Sequence, residues 1–439
     1  MTRDIGIRRE DKHEWERRVA LTPDAVADLV DRGLEVVVQP SSHRVFDDEA
    51  YRRAGAILDE RLGGCRTIFA VKEIPTSHLE RDGTYVFFSH TIKGQPHNMP
   101  RLRRLLDLGG TLIDYERIVD DDGRRLVFFG VHAGLAGMVD TLHVTGARLA
   151  ALGVPTPFAN LRPTHHYPDL AAAKEAVAAA GRRLSTEEPL PKQLQPFVVG
   201  FAGYGNVSRG AQEVFDLLPH ETVSPEDLLA GGVPERGDRL VKVVFAERHL
   251  ATRRDGGPFE REGYFDHPEA HDGIFPTFAA HLSVLVNCIY WTDAYPRLLD
   301  VGDLRQLAFD APAGGRLVTI GDISCDIDGA IEATVKATTP GSPAYVFDPA
   351  SGAVHDGVEG VPEGGIAMMT TDCLPCELPR EASSAFTQAL LPFVPAIVEA
   401  AQPTATFDDL PAPIRRATIA WRGRLTPDYR YLEPHLEEA

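Results

Sequence analysis

The stretch Phe197-Val198-Val199-Gly200-Phe201-Ala202-Gly203-Tyr204-Gly205-Asn206-Val207-Ser208-Arg209-Gly210-Ala211 constrains this chain more than any other. An apolar run of β type leads into closely spaced glycines. It continues into Ala211-Gln212-Glu213-Val214-Phe215-Asp216-Leu217-Leu218, whose apolar spacing suits a helix. The order is strand, tight turn, helix. Gly203 permits the turn, and Gly205 lets the backbone approach a pyrophosphate that faces the free N–H groups of the helix start. Gly203, Tyr204, Gly205, Asn206 and Val207 are therefore candidate cofactor-binding residues. The third glycine of the usual fingerprint is missing: Ser208 stands there, and Gly210 comes two residues late. On spacing alone, an ordinary glycine-rich turn is an equal reading.

At 439 residues the chain exceeds one ordinary hydrophobic core, so two or more domains are expected. A net charge of -19 gives no basic footprint for nucleic acid. No apolar run is long enough to span a bilayer, and Met1-Thr2-Arg3-Asp4 leads directly into strand-like residues. The expectation is a cytoplasmic protein whose partners are small molecules and copies of itself. The five cysteines form an odd, scattered set, in keeping with a reducing compartment. Cys373-Leu374-Pro375-Cys376 has the spacing of a redox pair or half of a zinc site. It lacks a second C-x-x-C, and His267 and His271 lie far upstream in reversed order, so no metal is expected.

Strand-like and helical stretches alternate from Ile5 onward, which implies an α/β fold with mostly parallel sheets. Thr22 and Pro23 read as a helix start. Residues 129–152 read as one long helix passing from a first domain to a second. Residues 248–280, with Tyr264, Phe265, Phe275 and Phe278, read as an ordered insertion. Buried strands are expected at 284–291 and 317–324, the latter ending near Asp322, Asp326 and Asp328. The polar tail from Pro411 to Ala439 is expected to drape over the surface.

Three strands end in polar residues. Lys72-Glu73 follows 67–71, Ser89-His90 follows 85–88, and Tyr115-Glu116 follows 111–114. In one parallel sheet these positions converge on a single edge. A buried lysine has a lowered pKa and a histidine titrates near neutrality, so Lys72 and His90 can serve as an acid–base pair. Singly, each is more simply a solvated strand cap. Arg18, Lys93 and Arg125 have the chemistry to hold substrate carboxylates, although position alone favours a surface role.

Together these residues resemble the lysine-forming saccharopine dehydrogenases, and especially the lysine–2-oxoglutarate reductase half of the bifunctional aminoadipate semialdehyde synthases. The resemblance runs from Ile5 to about Tyr431. It rests on Arg8-Arg9-Glu10-Asp11 with Trp15-Glu16-Arg17-Arg18, on Phe87-Phe88-Ser89-His90-Thr91-Ile92-Lys93, and on GYGNVSRG from Gly203 to Gly210. Ile289-Tyr290-Trp291, Asp372-Cys373-Leu374-Pro375 and Leu378-Pro379-Arg380-Glu381-Ala382 complete it. Alanine dehydrogenase and the transhydrogenase nucleotide domain are more distant relatives.

The resemblance implies two Rossmann-like domains flanking a cleft. The substrate domain comprises 1–132 and 371–439, and the dinucleotide domain comprises 133–370. It implies that the ε-amine of lysine attacks the ketone of 2-oxoglutarate and that the imine takes a hydride from a reduced nicotinamide to give saccharopine, or the reverse. A separate glutamate-forming saccharopine dehydrogenase would act downstream. Lys72 and His90 match the acid–base pair, and Glu73 and Glu116 match carboxylates that tune the lysine. Arg18, Lys93 and, less closely, Arg125 match substrate-carboxylate positions. Asp326 and Asp372 match cofactor-side positions, and Asp328 departs from the family pattern by replacing a glycine. The expected cofactor is NADP. If 221–223 is the second strand of the dinucleotide fold, it ends at Ser224, a neutral residue that tolerates a 2′-phosphate, with Glu226 two residues on and Arg209 in the glycine turn. Animal relatives prefer NADPH. The alternatives are an opine-type dehydrogenase with another amine or keto acid, and a nucleotide-binding regulator without catalysis.

Overall fold

The computed structural model describes residues 3–310, 317–361 and 365–437. The chain divides into two compact units, Met1–Phe129 with Pro379–Ala439, and Gly130–Leu378. Among the described residues no helix is long and apolar enough to cross a membrane.

The first unit is built on six parallel strands: β1 (Arg3–Ile7), β2 (Val36–Val38), β3 (Ile57–Leu58), β4 (Cys65–Phe69), β5 (Thr84–Phe87) and β6 (Thr111–Asp114). Their order across the sheet is β3-β2-β1-β4-β5-β6. β4, β5 and β6 are neighbours in register, so the residues following them share one edge. The helix Pro23–Asp31 starts with Pro23 at its first position and buries Ala25, Val26 and Leu29.

The tail departs from the expectation. Instead of draping over the surface, Thr418–Trp421 pairs antiparallel with β6 and turns back through Arg424–Leu425 to complete an eight-stranded sheet. Ile414, Ala417, Ile419, Ala420, Tyr429 and Leu432 are buried. These apolar residues are too widely interspersed with charge to give a clear period, yet each faces the core once the strand is paired.

The second unit contains β7 (Val198–Ala202), β8 (His220–Thr222), β9 (Leu240–Phe245), a hairpin of β10 (Ala251–Arg253) and β11 (His271–Gly273), then β12 (Val284–Asn287), β13 (Thr319–Asp322), β14 (Ala344–Phe347), β15 (Val354–Asp356) and β16 (Ile366–Met369). The main sheet runs β15-β14-β16-β13-β12-β7-β9-β8. All strands from β16 to β8 are parallel. β7, which carries the glycine turn, therefore lies between β9 and β12, at the point where the direction of chain progression reverses. That is where open parallel sheets hold their ligands. The next strand in sequence, β8, lies at the sheet edge, not beside β7.

The helix Gly130–Ala151 buries nearly its whole length, in keeping with its small and apolar composition. Its glycines do not weaken it, because they allow a close crossing. A Cβ on Gly134 would lie 1.9 Å from the Val207 carbonyl oxygen, and one on Gly210 would lie 2.1 Å from the Val131 carbonyl oxygen. The late glycine of the turn motif therefore seats the helix Asn206–Phe215 against the long helix. Forcing a methyl into backbone at this distance costs ~1–3 kcal/mol or more. Gly210→Ala is expected to lower the thermal unfolding midpoint by several degrees and to weaken dinucleotide binding. An unchanged midpoint by differential scanning fluorimetry would refute this account of the crossing.

Candidate functional site

In the first unit, four strand ends deliver the polar residues. Glu10 follows β1, Lys72 and Glu73 follow β4, His90 follows β5 and Glu116 follows β6. The Glu73 carboxylate lies 2.8 Å from His90 Nδ1 and accepts hydrogen bonds from Lys12 Nζ at 2.9 and 3.0 Å. Burial opposes its ionisation, but these two donors hold its pKa well below the usual carboxylate range. His90 sits at φ 53°, in the left-handed region that non-glycine residues rarely enter. Asn98 fixes it there by donating to the His90 carbonyl at 2.8 Å. The Lys72 ammonium is destabilised chiefly by burial and then by the Arg18 charge, with Glu16 opposing, so its pKa lies below the ordinary lysine value. A larger neutral fraction suits it to accept a proton near neutrality.

Arg18 is not a surface cation. It is 4% exposed, makes a forked pair with Glu16 at 2.8 and 2.6 Å, and stacks 4.2 Å from the centre of the Phe129 ring. Lys93 is exposed and lines a pocket of about 320 Å³ together with Lys12, Glu73, His90 and Glu116. Exposed Arg125 donates to Glu116. Sequence reasoning missed four contributors. Lys12 and Glu16 sit in a charged segment that reads as loop. Glu10 accepts from the Val71 and Lys72 N–H groups at 2.7 and 3.0 Å. Fully buried Asp114 accepts from the Ser89 N–H at 3.0 Å, the Ser89 hydroxyl and the Glu116 N–H at 2.8 Å.

In the second unit, Gly203 has φ 95°, and a Cβ on Gly205 would meet nothing within 4 Å, which leaves room for a ligand against the backbone. Among the described residues no side chain caps the helix that begins at Asn206, which leaves its first N–H groups available to an anion. Asn206 accepts from Arg209, which is exposed on the same helix. Tyr204 is 46% exposed, and its hydroxyl is 2.9 and 3.0 Å from the two carboxylate oxygens of Glu247. Glu247, two residues beyond β9, also accepts from Arg261 at 3.3 Å. These groups open on a pocket of about 300 Å³ walled by Tyr264, Phe265, Tyr290, Trp291 and Tyr295. Aromatic faces of this kind suit a planar base. Asp326 and Asp372 lie exposed beyond the ends of β13 and β16. Free helix donors, an open glycine turn, a carboxylate after the adjacent strand and an aromatic pocket together fit a dinucleotide.

Ser224 does not belong to this set. β8 stops at Thr222 and lies at the sheet edge. Ser224 caps the helix Pro225–Leu229, accepting from the Asp227 N–H at 3.0 Å and donating to the Asp227 carboxylate at 2.7 Å. Glu226 is engaged with His249 at 3.2 Å. The expectation failed because sequence order was taken for strand order. The strand beside β7 is β9, and Glu247 marks its end.

The comparisons with known proteins follow this geometry. Residues 6–136 match the model described as alanine dehydrogenase/PNT, N-terminal domain. The chain is 38% identical, over 98% of its length, to the alpha-aminoadipic semialdehyde synthases of Arabidopsis thaliana and Mus musculus. It covers 41% and 47% of those proteins and so spans less than half of their length. It is 30% identical to the NAD(+), L-lysine-forming saccharopine dehydrogenase of Neurospora crassa, over 88% of this chain and 89% of that protein. The chain belongs to the lysine-forming saccharopine dehydrogenase family. Two solved structures share the fold: an L-alanine dehydrogenase (TM-score 0.59, 16% identity, covering 98% of this chain and 99% of that one) and the transhydrogenase of Sinorhizobium meliloti (TM-score 0.56, 14% identity, covering 96% and 99%).

The segment after β16 holds one further constellation. Cys373 and Cys376 are linked by a disulfide. Just beyond them, buried Glu377 accepts from the His165 N–H at 3.0 Å, while Asp140 accepts from the Thr164 N–H and hydroxyl at 2.8 Å each. Asp140 Oδ2 and Glu377 Oε1 are buried with no hydrogen-bond partner among the described residues, and each carboxyl affects the ionisation of the other. Burial pushes Glu377 from 4.5 up to about 7 and raises Asp140 well above its ordinary value. A raised carboxyl pKa contributes stability that is present below the unfolded pKa and lost as pH rises through the folded one. The stability of Glu377→Gln minus that of the native chain should therefore grow as pH rises from 4.5 to beyond about 7. Urea unfolding at several pH values checks this, and a pH-independent difference would exclude the raised Glu377 pKa.

Proposed function

We propose that this protein forms saccharopine from lysine and 2-oxoglutarate, or splits it to release lysine, with a nicotinamide dinucleotide as hydride carrier. The observation that carries this reading is the Lys12–Glu73–His90 hydrogen-bond chain beside Lys72, whose own pKa is depressed. The names of the relatives point the same way. An amine attacks a ketone only when neutral. Lys72 takes the proton from the lysine ε-ammonium, the neutral amine forms the new C–N bond, and a proton then passes from the nitrogen to the carbonyl oxygen, which becomes a hydroxyl. His90 then protonates that hydroxyl, which leaves as water and gives the protonated imine. Glu73 orients His90 through the contact with its Nδ1. Lys93 and Arg125 face the substrate carboxylates, and the Arg18–Glu16 pair sets the field at Lys72. The bound nicotinamide supplies the hydride in one direction and accepts it in the other.

The NADP expectation rested on Ser224, on Arg209 in the glycine turn and on the preference of the animal relatives. With Glu247 after the strand adjacent to the glycine turn, NAD(H) is the cofactor this reading favours. A carboxylate there accepts from a ribose 2′-hydroxyl and repels a 2′-phosphate. The Neurospora relative carries NAD(+) in its name.

Purified protein with lysine, 2-oxoglutarate and NADH should consume cofactor and yield saccharopine by mass spectrometry. Turnover of a different amine and keto acid, with no saccharopine, would favour the opine alternative. Lys72→Met and His90→Gln should each slow turnover by roughly 10²–10⁴-fold, the range for removing a positioned proton-transfer group, with NADH affinity retained. Near-normal rates in both variants would refute their assignment.

The cofactor reading has its own test. kcat/KM should be higher with NADH than with NADPH, and Glu247→Ser should shift the ratio toward NADPH by at least about tenfold. Like charges 4 Å apart near a surface repel by ~4 kcal/mol. An unchanged ratio in the variant would clear Glu247 of the discriminating role.

A further inference from the structure

We infer that Glu10 is the positioning residue for Lys72: its carboxylate, leaving the end of β1, clips the backbone N–H groups of Val71 and Lys72 and so fixes where the Lys72 side chain departs from the neighbouring strand β4. This rests on the reading of Lys72 as the proton-transfer group. β1 and β4 are paired up to Ile7 and Phe69, and the Arg8 N–H still bonds the Phe69 carbonyl at 2.9 Å. Beyond that point the two chains part. The N–H groups of Val71 and Lys72 leave the ladder, and Glu10 takes both, one on each carboxylate oxygen, at 2.7 and 3.0 Å. Two consecutive N–H groups held by one ionised carboxylate are a rigid fork, stronger than neutral bonds.

The clip works in one protonation state. An ionised carboxylate accepts on both oxygens. A protonated one carries a hydrogen on one oxygen, which then competes with an N–H. The groups around Glu10 decide when this happens. Burial and the Glu16 carboxylate favour protonation, while the Val71 and Lys72 N–H groups and the Arg8 guanidinium oppose it; the balance stands at about 7. Tyr115, fully buried and with its hydroxyl unpaired among the described residues, also lies within electrostatic reach of Glu10. As pH falls through neutrality, Glu10 gains a proton, one N–H is released, and Lys72 loses its fixed origin. The acid side of the activity profile thus contains an inflection that belongs to Glu10 and not to a group that touches substrate.

The test compares Glu10→Gln, Glu10→Asp and Lys72→Met in the full chain, with kcat and kcat/KM measured from acid to alkaline pH and NADH affinity measured by fluorescence. Glu10→Gln offers one oxygen and one N–H₂ group where two acceptors are needed, so it mimics the protonated state at every pH. It should lower kcat roughly 10–10²-fold, the scale on which small misplacements act, lose the inflection near neutrality, and keep NADH affinity. Glu10→Asp keeps the charge with a shorter reach and should show a smaller loss with the inflection retained. A folded Glu10→Gln protein with native kcat and a native profile overturns the inference. Should Glu10→Gln not fold, native kcat in Glu10→Asp overturns it instead. If Lys72→Met is impaired while both Glu10 variants behave as native, only the positioning role fails. If Lys72→Met itself keeps its rate, the reading of Lys72 fails, and the inference with it.

Discussion

A parallel sheet runs out of hydrogen-bond partners at its carboxyl edge. Each strand leaves the ladder there, and the N–H groups of the next residues must be satisfied or remain buried at a cost of about 1–3 kcal/mol apiece. In this chain the acceptors are carboxylates on adjacent strands. Glu10 after β1 takes the N–H groups after β4, and Asp114 at the end of β6 takes that of Ser89 after β5. In the second unit Asp322 at the end of β13 takes the Asn287 amide from the end of β12 at 2.8 Å and the Thr334 hydroxyl at 2.6 Å. In each case the carboxylate of one strand clips the exit of its neighbour. The edge that presents ligand groups is thereby held by side chains that need not touch a ligand.

The electrostatics of the first unit follow from this crowding. Lys72 lies among Arg18, Lys12, Glu16 and Glu73. Two cations lower its pKa and two anions raise it, so burial tips the outcome downward. The anions are themselves committed: Glu16 to the Arg18 fork, and Glu73 to His90 and Lys12. A carboxylate already paired stabilises a nearby ammonium less than a free one does. Removing Arg18 would therefore free Glu16 and raise the Lys72 pKa, so Arg18 acts on Lys72 both directly and through Glu16.

Local sequence carried the strand endings well. Lys72, His90 and Glu116 stand where alternating apolar runs stop, and the neighbours β4, β5 and β6 are consecutive in the chain, so sequence order and spatial order agree. What could not be read were pairings across sequence distance. Glu10 meets Lys72 across 62 positions, and nothing at either end shows it. The strand Thr418–Trp421 was hidden because it pairs with β6 from the far end of the chain, where its few apolar residues form no long run. Gly210 looked like a misplaced member of a motif because its partner, the carbonyl of Val131, belongs to a helix 79 residues earlier, a separation visible only once the two helices cross.

The placement of Ser224 differs from the expectation for the same reason in sharper form. Between β7 and β9 the chain makes an excursion to the sheet edge and returns. The residue that faces a ribose is set by which strand lies next to the glycine turn, and an inserted edge strand moves that position downstream without altering the turn itself. Ser224 terminates the excursion, while Glu247 terminates the neighbour. The segment that follows Glu247 then explains the aromatic insertion. Arg261, Tyr264 and Phe265 lie on one short helix that returns beside the carboxylate, with Tyr290, Trp291 and Tyr295 arriving from beyond β12. Arg261 partly neutralises Glu247, so under the proposed reading this carboxylate would discriminate by hydrogen bonding to a hydroxyl as well as by repelling a phosphate. A substitution at Arg261 should strengthen the repulsion, and one at Glu247 should remove it.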